Sequence, residues 1–457
     1  MLRSRDRDHL RDPLRFIDDR TGAAPFLKGT LRYVFPDHWS FLLGEVALYA
    51  FIVLVATGVY LTLFFHPSLA DTVYHGPYAP LRGAKMSEAY RSAVDLSFSV
   101  KAGLLMRQTH HWAADVFVAA IVIHVVRVFF TGAFRRPREL TYLIGVIMLF
   151  VALVEGYLGY SLVDDLLSGM GLAIGYGVAL SIPVIGGPLG LLLWGAPFPG
   201  APAFESRMYI AHVLLIPGLL GVLIGAHLAL VASRHHTQFR GVLGQSDRRL
   251  VGVPAFPGQA PRSLGLMSAV AALLFALGGL VQINPIWEWG PFETALGTNG
   301  AQPDWYLGWL IGGLRLVPGF DVVIGHYTLV PNPFWGGILF PTIVLVMMLA
   351  FPWIERRVTG DRRAHNLLDR PRDAPGRTAF GVAFLTWIAL VFIAGSADRT
   401  TVFFGLSYTA ELWFYRAIVW VAPIVLFFVV RRWCRGLQAA ERIQEVQTRA
   451  EEEARAG

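Results

Sequence analysis

The chain reads as an all-α integral membrane protein with eight transmembrane helices, and three observations carry that reading. Of its 457 residues, 54% are hydrophobic and only 16% charged, too apolar for an ordinary soluble domain. Eight apolar runs are long enough to cross hydrocarbon, near 42–65, 111–131, 140–163, 209–232, 264–284, 336–355, 378–396 and 413–430. Alternation from an inside N-terminus puts 29 of the 39 Lys and Arg residues in inside segments and 8 in outside ones, with Arg127 and Arg416 within spans. That bias orients the chain with both termini on the cytoplasmic side. The net charge of +7 therefore follows topology and anionic lipid, and nucleic acid is not an expected partner. The single cysteine, Cys434, excludes an internal disulfide and a Cys-ligated iron–sulfur cluster within this chain. No cleavable signal peptide is expected, since about forty mostly polar residues precede a full-length first span.

In order, residues 1–41 form a cytoplasmic arm dense in Arg and Asp, closing on FLKGTLRYVF, a segment suited to the interface. Residues 42–232 hold the first four spans. Gly44 and Gly58 on the first span are fourteen residues apart, as are Gly145 and Gly159 on the third. Glycine weakens a helix, so such pairs mark a bulky group approaching the backbone, with small-residue helix packing as the alternative at any one position.

The second span, within RQTHHWAADVFVAAIVIHVVRVFFT, carries His110 and His124, also fourteen apart; the fourth carries His212 and His227, fifteen apart. At about 1.5 Å per residue these intervals are roughly 21 and 22 Å. Both bring the second imidazole back to within about 60° of the first. A lone buried His is ordinarily a hydrogen-bonded packing residue, but two matched pairs of costly intramembrane groups point to ligation. Imidazole pairs with no thiolate or carboxylate ligand suit an iron porphyrin better than zinc or copper. The expected architecture is a four-helix bundle holding two stacked b-type haems, each sliding past one glycine of each pair. His111 faces about 100° away from His110 and is not an expected ligand. Arg107 and Arg127 flank the second-span pair, placed to meet haem propionates. Topology explains Arg127 as well.

Outside residues 164–206, between the third and fourth spans, are rich in Gly, Pro and apolar residues and are expected to fold back at membrane depth. Residues 233–263 make an inner loop. The C-terminal region 264–430 holds the last four spans and an outer loop with QPDWYLGW. There, Asp304 beside Trp305 and Tyr306 suits a quinol pocket, the aromatics gripping the ring and the carboxylate taking a proton. Glu155, near the outer end of the third span, is a second candidate for that proton path; either acid could instead pair with an interfacial Arg. The run 356–377 reads as topological charge. The tail 431–457 reads as a solvated cytoplasmic helix.

These motifs resemble the cytochrome b family of quinol–cytochrome c oxidoreductases over roughly 30–430. The resemblance rests on RQTHHW…H, on R…H…H in the fourth span, on the glycine pairs, on SIPVIGG and on PDWY. The family's usual Pro-Glu-Trp-Tyr has Asp304 in place of its glutamate here. Its Pro-Trp-Gly-Gln turn gives way to Val163, Asp164, Asp165 and Leu166. These departures, with HHTQF and DDLLSG, resemble actinobacterial members, whose quinol is typically menaquinol.

The resemblance implies a lower-potential outer haem on His110 and His212 and a higher-potential inner haem on His124 and His227. It implies an outer quinol site from Tyr160, Ile182, Pro183, Asp304 and Tyr306, and a Q cycle generating proton-motive force across a bacterial cell membrane. The implied partners are a Rieske iron–sulfur subunit, a c-type cytochrome subunit and a second copy of the complex, with a junction to a terminal oxidase left open. Many relatives place a histidine five residues past the inner ligand, where this chain has Ala232. Arg234, His235, His236 and Asp247 are the candidates for the inner quinone site. Two other classes remain: a di-haem membrane anchor of another quinone-linked oxidoreductase, and a transporter. The anchor leaves the PDWY loop unexplained, and the transporter leaves the matched histidine pairs unexplained.

Overall fold

The computed structural model describes residues 18–22, 29, 31–241, 246, 249–296 and 302–456. Its helices, in order, are α1 (Leu43–Thr62), α2 (Glu88–Phe98), α3 (Gly103–Thr131), α4 (Glu139–Ser161), α5 (Leu166–Leu180) and α6 (Gly186–Trp194). The helix α7 (Phe204–Ile210) then runs through one π-helical turn, Ala211–Leu215, into α8 (Ile216–Arg234). The remainder are α9 (Ala260–Leu280), α10 (Ile286–Trp289), α11 (Gly308–Leu316), α12 (Phe340–Thr359), α13 (Pro375–Ala394), α14 (Ala397–Phe404) and α15 (Tyr408–Ala456). Among the described residues, eight helical stretches are long and apolar enough to cross a membrane: Trp39–Thr62, Gly103–Thr131, Glu139–Ser161, Phe204–Arg234, Ala255–Leu280, Trp335–Thr359, Pro375–Ala394 and Tyr408–Arg455. Each coincides with an expected run.

Three short antiparallel ribbons trim the loops: β1 (Val34–Phe35) with β4 (Val253–Pro254), β2 (Asp71–Val73) with β3 (Lys85–Ser87), and β5 (Val322–Ile324) with β6 (Tyr327–Val330). The first joins the N-terminal arm to the inner loop beneath α8.

Packing follows side-chain size. Ala47, Ala50 and Val53 of α1 meet Ala113, Phe117, Val118 and Ala120 of α3, and small residues there let the two backbones approach. Leu149 and Ala152 of α4, Val270 and Leu274 of α9, and Tyr306 and Leu307 close the same core. The outer loop is thus anchored in the bundle. In the C-terminal half α13 packs along α15 and α11 lies against α13.

One segment gains detail and one expectation changes. The segment 164–206 is largely helical, built as α5 and α6, because Asp165 caps α5 through the Ser168 N–H and Ser168 answers at the Asp165 N–H. The charge run 356–377 is more than topology. Asp369 binds Arg135 and Arg377, each at 2.8 Å, and Arg377 also reaches Glu355 at 2.9 Å. Arg138 donates to the carbonyls of Arg234, His235 and His365. These bonds lock the inner ends of α3, α8, α12 and α13 together. The tail continues α15 as helix to Ala456, and Glu441 binds Arg370 at 2.8 Å.

One contact tests this packing. A Cβ on Gly312 would run into the Val391 carbonyl, whereas Gly319 faces open space. Gly312→Ala is expected to cost about 1–3 kcal/mol and to lower the melting temperature in detergent, with Gly319→Ala unchanged. Equal melting of the two variants would contradict the α11–α13 contact.

Candidate functional site

The four histidines fall at two levels, each with one glycine from α1 and one from α4. At the outer level a Cβ on Gly58 would stand 3.2 Å from His110 Cε1, and one on Gly159 would overlap the His212 ring. At the inner level Gly44 faces His124 at 3.5 Å and Gly145 faces His227 at 3.6 Å. The glycines thus make room for the imidazoles themselves as well as for whatever lies between them.

The unequal histidine intervals have a local cause. His212 sits in the π turn Ala211–Leu215, which takes up one extra residue per turn. Fifteen residues on α7–α8 therefore do the work of fourteen on α3.

Ring nitrogens indicate what lies between the pairs. The centroids of His110 and His212 are 6.2 Å apart, with their planes at 83°. A metal–imidazole bond of about 2 Å on each side, plus the distance from nitrogen to ring centre, fills that gap with one metal ion. The Thr57 hydroxyl donates to the Val53 carbonyl at 2.7 Å and lies 3.0 Å from His110 Nδ1. Its lone pair accepts the Nδ1 proton, which leaves Nε2 as the free donor atom. Glu155 Oε1 lies 2.8 Å from His212 Nδ1, a close polar contact short of a hydrogen bond. The Nδ1 atoms of His124 and His227 have no hydrogen-bond partner among the described residues. Both rings line a cavity of about 660 Å³ that opens toward Tyr33, His38, Glu45 and His236.

Arg107 and Arg127 stand at opposite ends of α3. Arg107 is buried, donating to Ser97 Oγ at 3.2 Å and to the Asn284 carbonyl at 3.1 Å. Arg127 lies 4.1 Å over the Phe41 ring and 3.3 Å from Ser40 Oγ. Each retains one terminal nitrogen with no partner among the described residues.

On the outer side Asp304 is gripped at both oxygens. His111 Nε2 lies 2.7 Å from Oδ1, and the Tyr306 hydroxyl donates to Oδ2 at 2.9 Å. Gly156 leaves the space that the Tyr306 ring occupies. Burial works to raise the Asp304 carboxyl, but His111 and Tyr306 outweigh it and hold the group below the usual range. Burial, then Asp304 itself, pushes the Tyr306 phenol well up. Tyr160 is buried against Gly171. Ile182 and Pro183 are half-buried in the turn between α5 and α6 and stay outside this hydrogen-bonded cluster. Glu155 is also outside it, because its carboxylate is spent on His212. An apolar cleft of about 430 Å³ runs from Trp305 and Tyr306 between α3, α4, α12 and α13.

Sequence reasoning missed His111: the 100° turn that removes it from the ligand set aims it at Asp304. It also missed the role of DDLLSG. Asp165 is fully buried and Glu205 is 1% exposed. Burial, with Asp165 adding to it against a Ser87 hydrogen bond, lifts Asp164 to about 7. At the inner face His236 lines the larger cavity, and Arg234 and His235 line only a smaller one beside it. Asp247 lies outside the described residues.

Comparison with known proteins decides the family. The family described as cytochrome b(N-terminal)/b6/petB matches residues 115–291. The cytochrome bc1 complex cytochrome b subunit of Streptomyces coelicolor is 47% identical over 428 residues, 93% of this chain and 78% of that protein. Its counterpart in Mycobacterium leprae is 46% identical over 427 residues, 93% of this chain and 77% of that one. The chain belongs to the cytochrome b family. A solved hyperthermophilic respiratory Complex III chain shares the fold, with a TM-score of 0.65 at 20% identity, over 92% of this chain and 99% of that one.

As a cytochrome b of actinobacterial type, this is a membrane-embedded subunit of a multi-subunit quinol–cytochrome c oxidoreductase complex. The family carries b-type haem. The paired imidazoles with Nε2 free, the facing glycines and the partnerless arginine nitrogens fit that group.

The raised Asp164 can be read directly. Its carboxyl is expected to be protonated below about pH 7 and ionised above it. Infrared difference spectra against Asp164→Asn should show a carboxylic-acid band that fades with a midpoint of about 7. An Asp164 already ionised at pH 5 would contradict its burial.

Proposed function

We propose that the outer and inner histidine levels hold two b-type haems and that quinol, as menaquinol, is oxidised at the outer acid cluster. In this reading quinol gives up two electrons and two protons near the outer face. One electron leaves to a Rieske iron–sulfur subunit and then a c-type cytochrome subunit. The other crosses to reduce quinone at an inner pocket, a Q cycle that builds proton-motive force. The setting is the bacterial cell membrane, with both termini cytoplasmic and the complex a homodimer. The observation that carries the outer site is Asp304 bound between His111 and Tyr306, beside an apolar cleft.

His110 and His212 would hold one haem and His124 and His227 the other, with Arg107 and Arg127 toward the propionates. Bound there, haem supplies one-electron redox chemistry at both levels of the bundle. The chain's own residues do the rest. Tyr160, Ile182 and Pro183 shape the quinol pocket, and the cleft below Tyr306 takes the apolar tail. Asp304, held ionised, accepts the hydroxyl proton as quinol is oxidised. His111 fixes the carboxylate, which compensates for a side chain one methylene shorter than glutamate.

At the inner face His236 lines the cavity with His38 and Glu45. Burial, Arg127 and Arg138 press the His236 imidazole down to about 4, so it stays neutral at pH 7 and serves as a hydrogen-bond partner for quinone. Arg234 and His235 are the nearby cationic candidates.

The test is quinol oxidation by the purified complex carrying Asp304→Asn and Tyr306→Phe together. The expected result is a rate lower by about 10²-fold or more, with the haem absorbance intact. Wild-type turnover in that variant would overturn the outer site and favour a haem-bearing anchor.

A further inference from the structure

We propose that Glu155 sets the outer haem below the inner one in potential by acting on its ligand His212; the proposal rests on the haem-ligation reading above. Glu155 Oε1 is 2.8 Å from His212 Nδ1, and both side chains are largely buried, at 16% and 17% exposure. The ring N–H is aimed off the oxygen, so this is a close polar contact that a small ring rotation converts into a hydrogen bond. Oε2 has no partner among the described residues, so no cation competes with His212 for this acid.

Among the described residues no carboxylate stands against a ligand ring at the inner level; Glu45, which lines the cavity there, is bound by Tyr49 and Gln259. The Nδ1 atoms of His124, His227 and His212 all lack a hydrogen-bond partner among the described residues, but His212 has a carboxylate 2.8 Å away. Arg107 and Arg127 stand at opposite ends of α3, and Arg138 and Arg234 also line a cavity with His124 and His227, so cations gather at the inner level. His110 meets only the neutral Thr57 hydroxyl. The carboxylate beside the outer ligand and the arginines around the inner pair act with the same sign, and the carboxylate is the charge in direct contact with a ligand ring.

A carboxylate that accepts the Nδ1 proton makes Nε2 a stronger donor. A stronger donor, with a negative charge held nearby in low dielectric, favours ferric over ferrous iron and lowers the potential. Electrons then run downhill from the outer level to the inner one, which is the direction a quinol-oxidising outer site requires. Glu155 is thus a positioning and tuning residue for the ligand, with no place in the quinol pocket.

The test is an optical redox titration of the intact complex carrying Glu155→Gln, which keeps the size and removes the charge. The outer component is expected to move up by about 59 mV, the one-electron equivalent of a tenfold shift in its reduced-to-oxidised ratio, with the inner component unmoved. Glu155→Asp, whose carboxylate is drawn back from the ring, should move the same way by less. Unshifted outer midpoints in both variants would overturn the proposal. Should either variant lose the haem, the wild type decides: near-infrared charge-transfer bands of the two ferric haems should differ, and coincident bands would overturn the proposal. A wild type with only one b-type component would instead sink the ligation reading.

Discussion

An imidazole buried in a membrane bundle must satisfy both ring nitrogens, and four such rings at two depths impose that demand on most of the N-terminal half. Each ring needs room, and glycines on α1 and α4 supply it. At the outer level Thr57 meets His110 Nδ1 at 3.0 Å and Glu155 stands 2.8 Å from His212 Nδ1. Each must face its partner, and the π turn around His212 restores the register that a fifteen-residue interval would spoil. These features share one cause, the placing of two Nε2 lone pairs opposite each other in a dry interior.

The outer loop answers a second constraint. A carboxylate near the bundle core is costly unless it is paired. Asp304 meets it with one donor at each oxygen, from α3 and from its own turn. Because Tyr306 and Leu307 belong to the main core, the acid's position is fixed by the same packing that fixes the histidines. At the inner face the demand is for fixed loop ends, met by Arg138 on backbone carbonyls and by Asp369 between two arginines.

The periodic features were legible. Eight spans follow from hydropathy, and the pairing of glycines with histidines follows from a shared interval. What escaped the sequence depends on contacts between distant segments. His111 looked idle because its partner is 193 residues away. Glu155 reads as a proton-path candidate from its depth alone, and its neighbour His212 on α7–α8 is not legible in the sequence. The segment 164–206 reads as folding back at membrane depth, while the Asp165 cap and following apolar run that make it helical escape that reading. A π turn has no sequence signature beyond the odd interval, which was noticed without its cause. The inner cavity was hardest, since its walls come from the N-terminal arm, α1, α8 and the inner loop together.

The central claim is that two separate imidazole pairs, one at each depth, hold two haems. The most direct measurement is an optical titration of reduced b-haem absorbance against potential for the wild type and for histidine variants. Two one-electron components are expected, with His110→Ala or His212→Ala removing only the lower and His124→Ala or His227→Ala only the upper. A single component, or the same component lost whichever pair is changed, would contradict it.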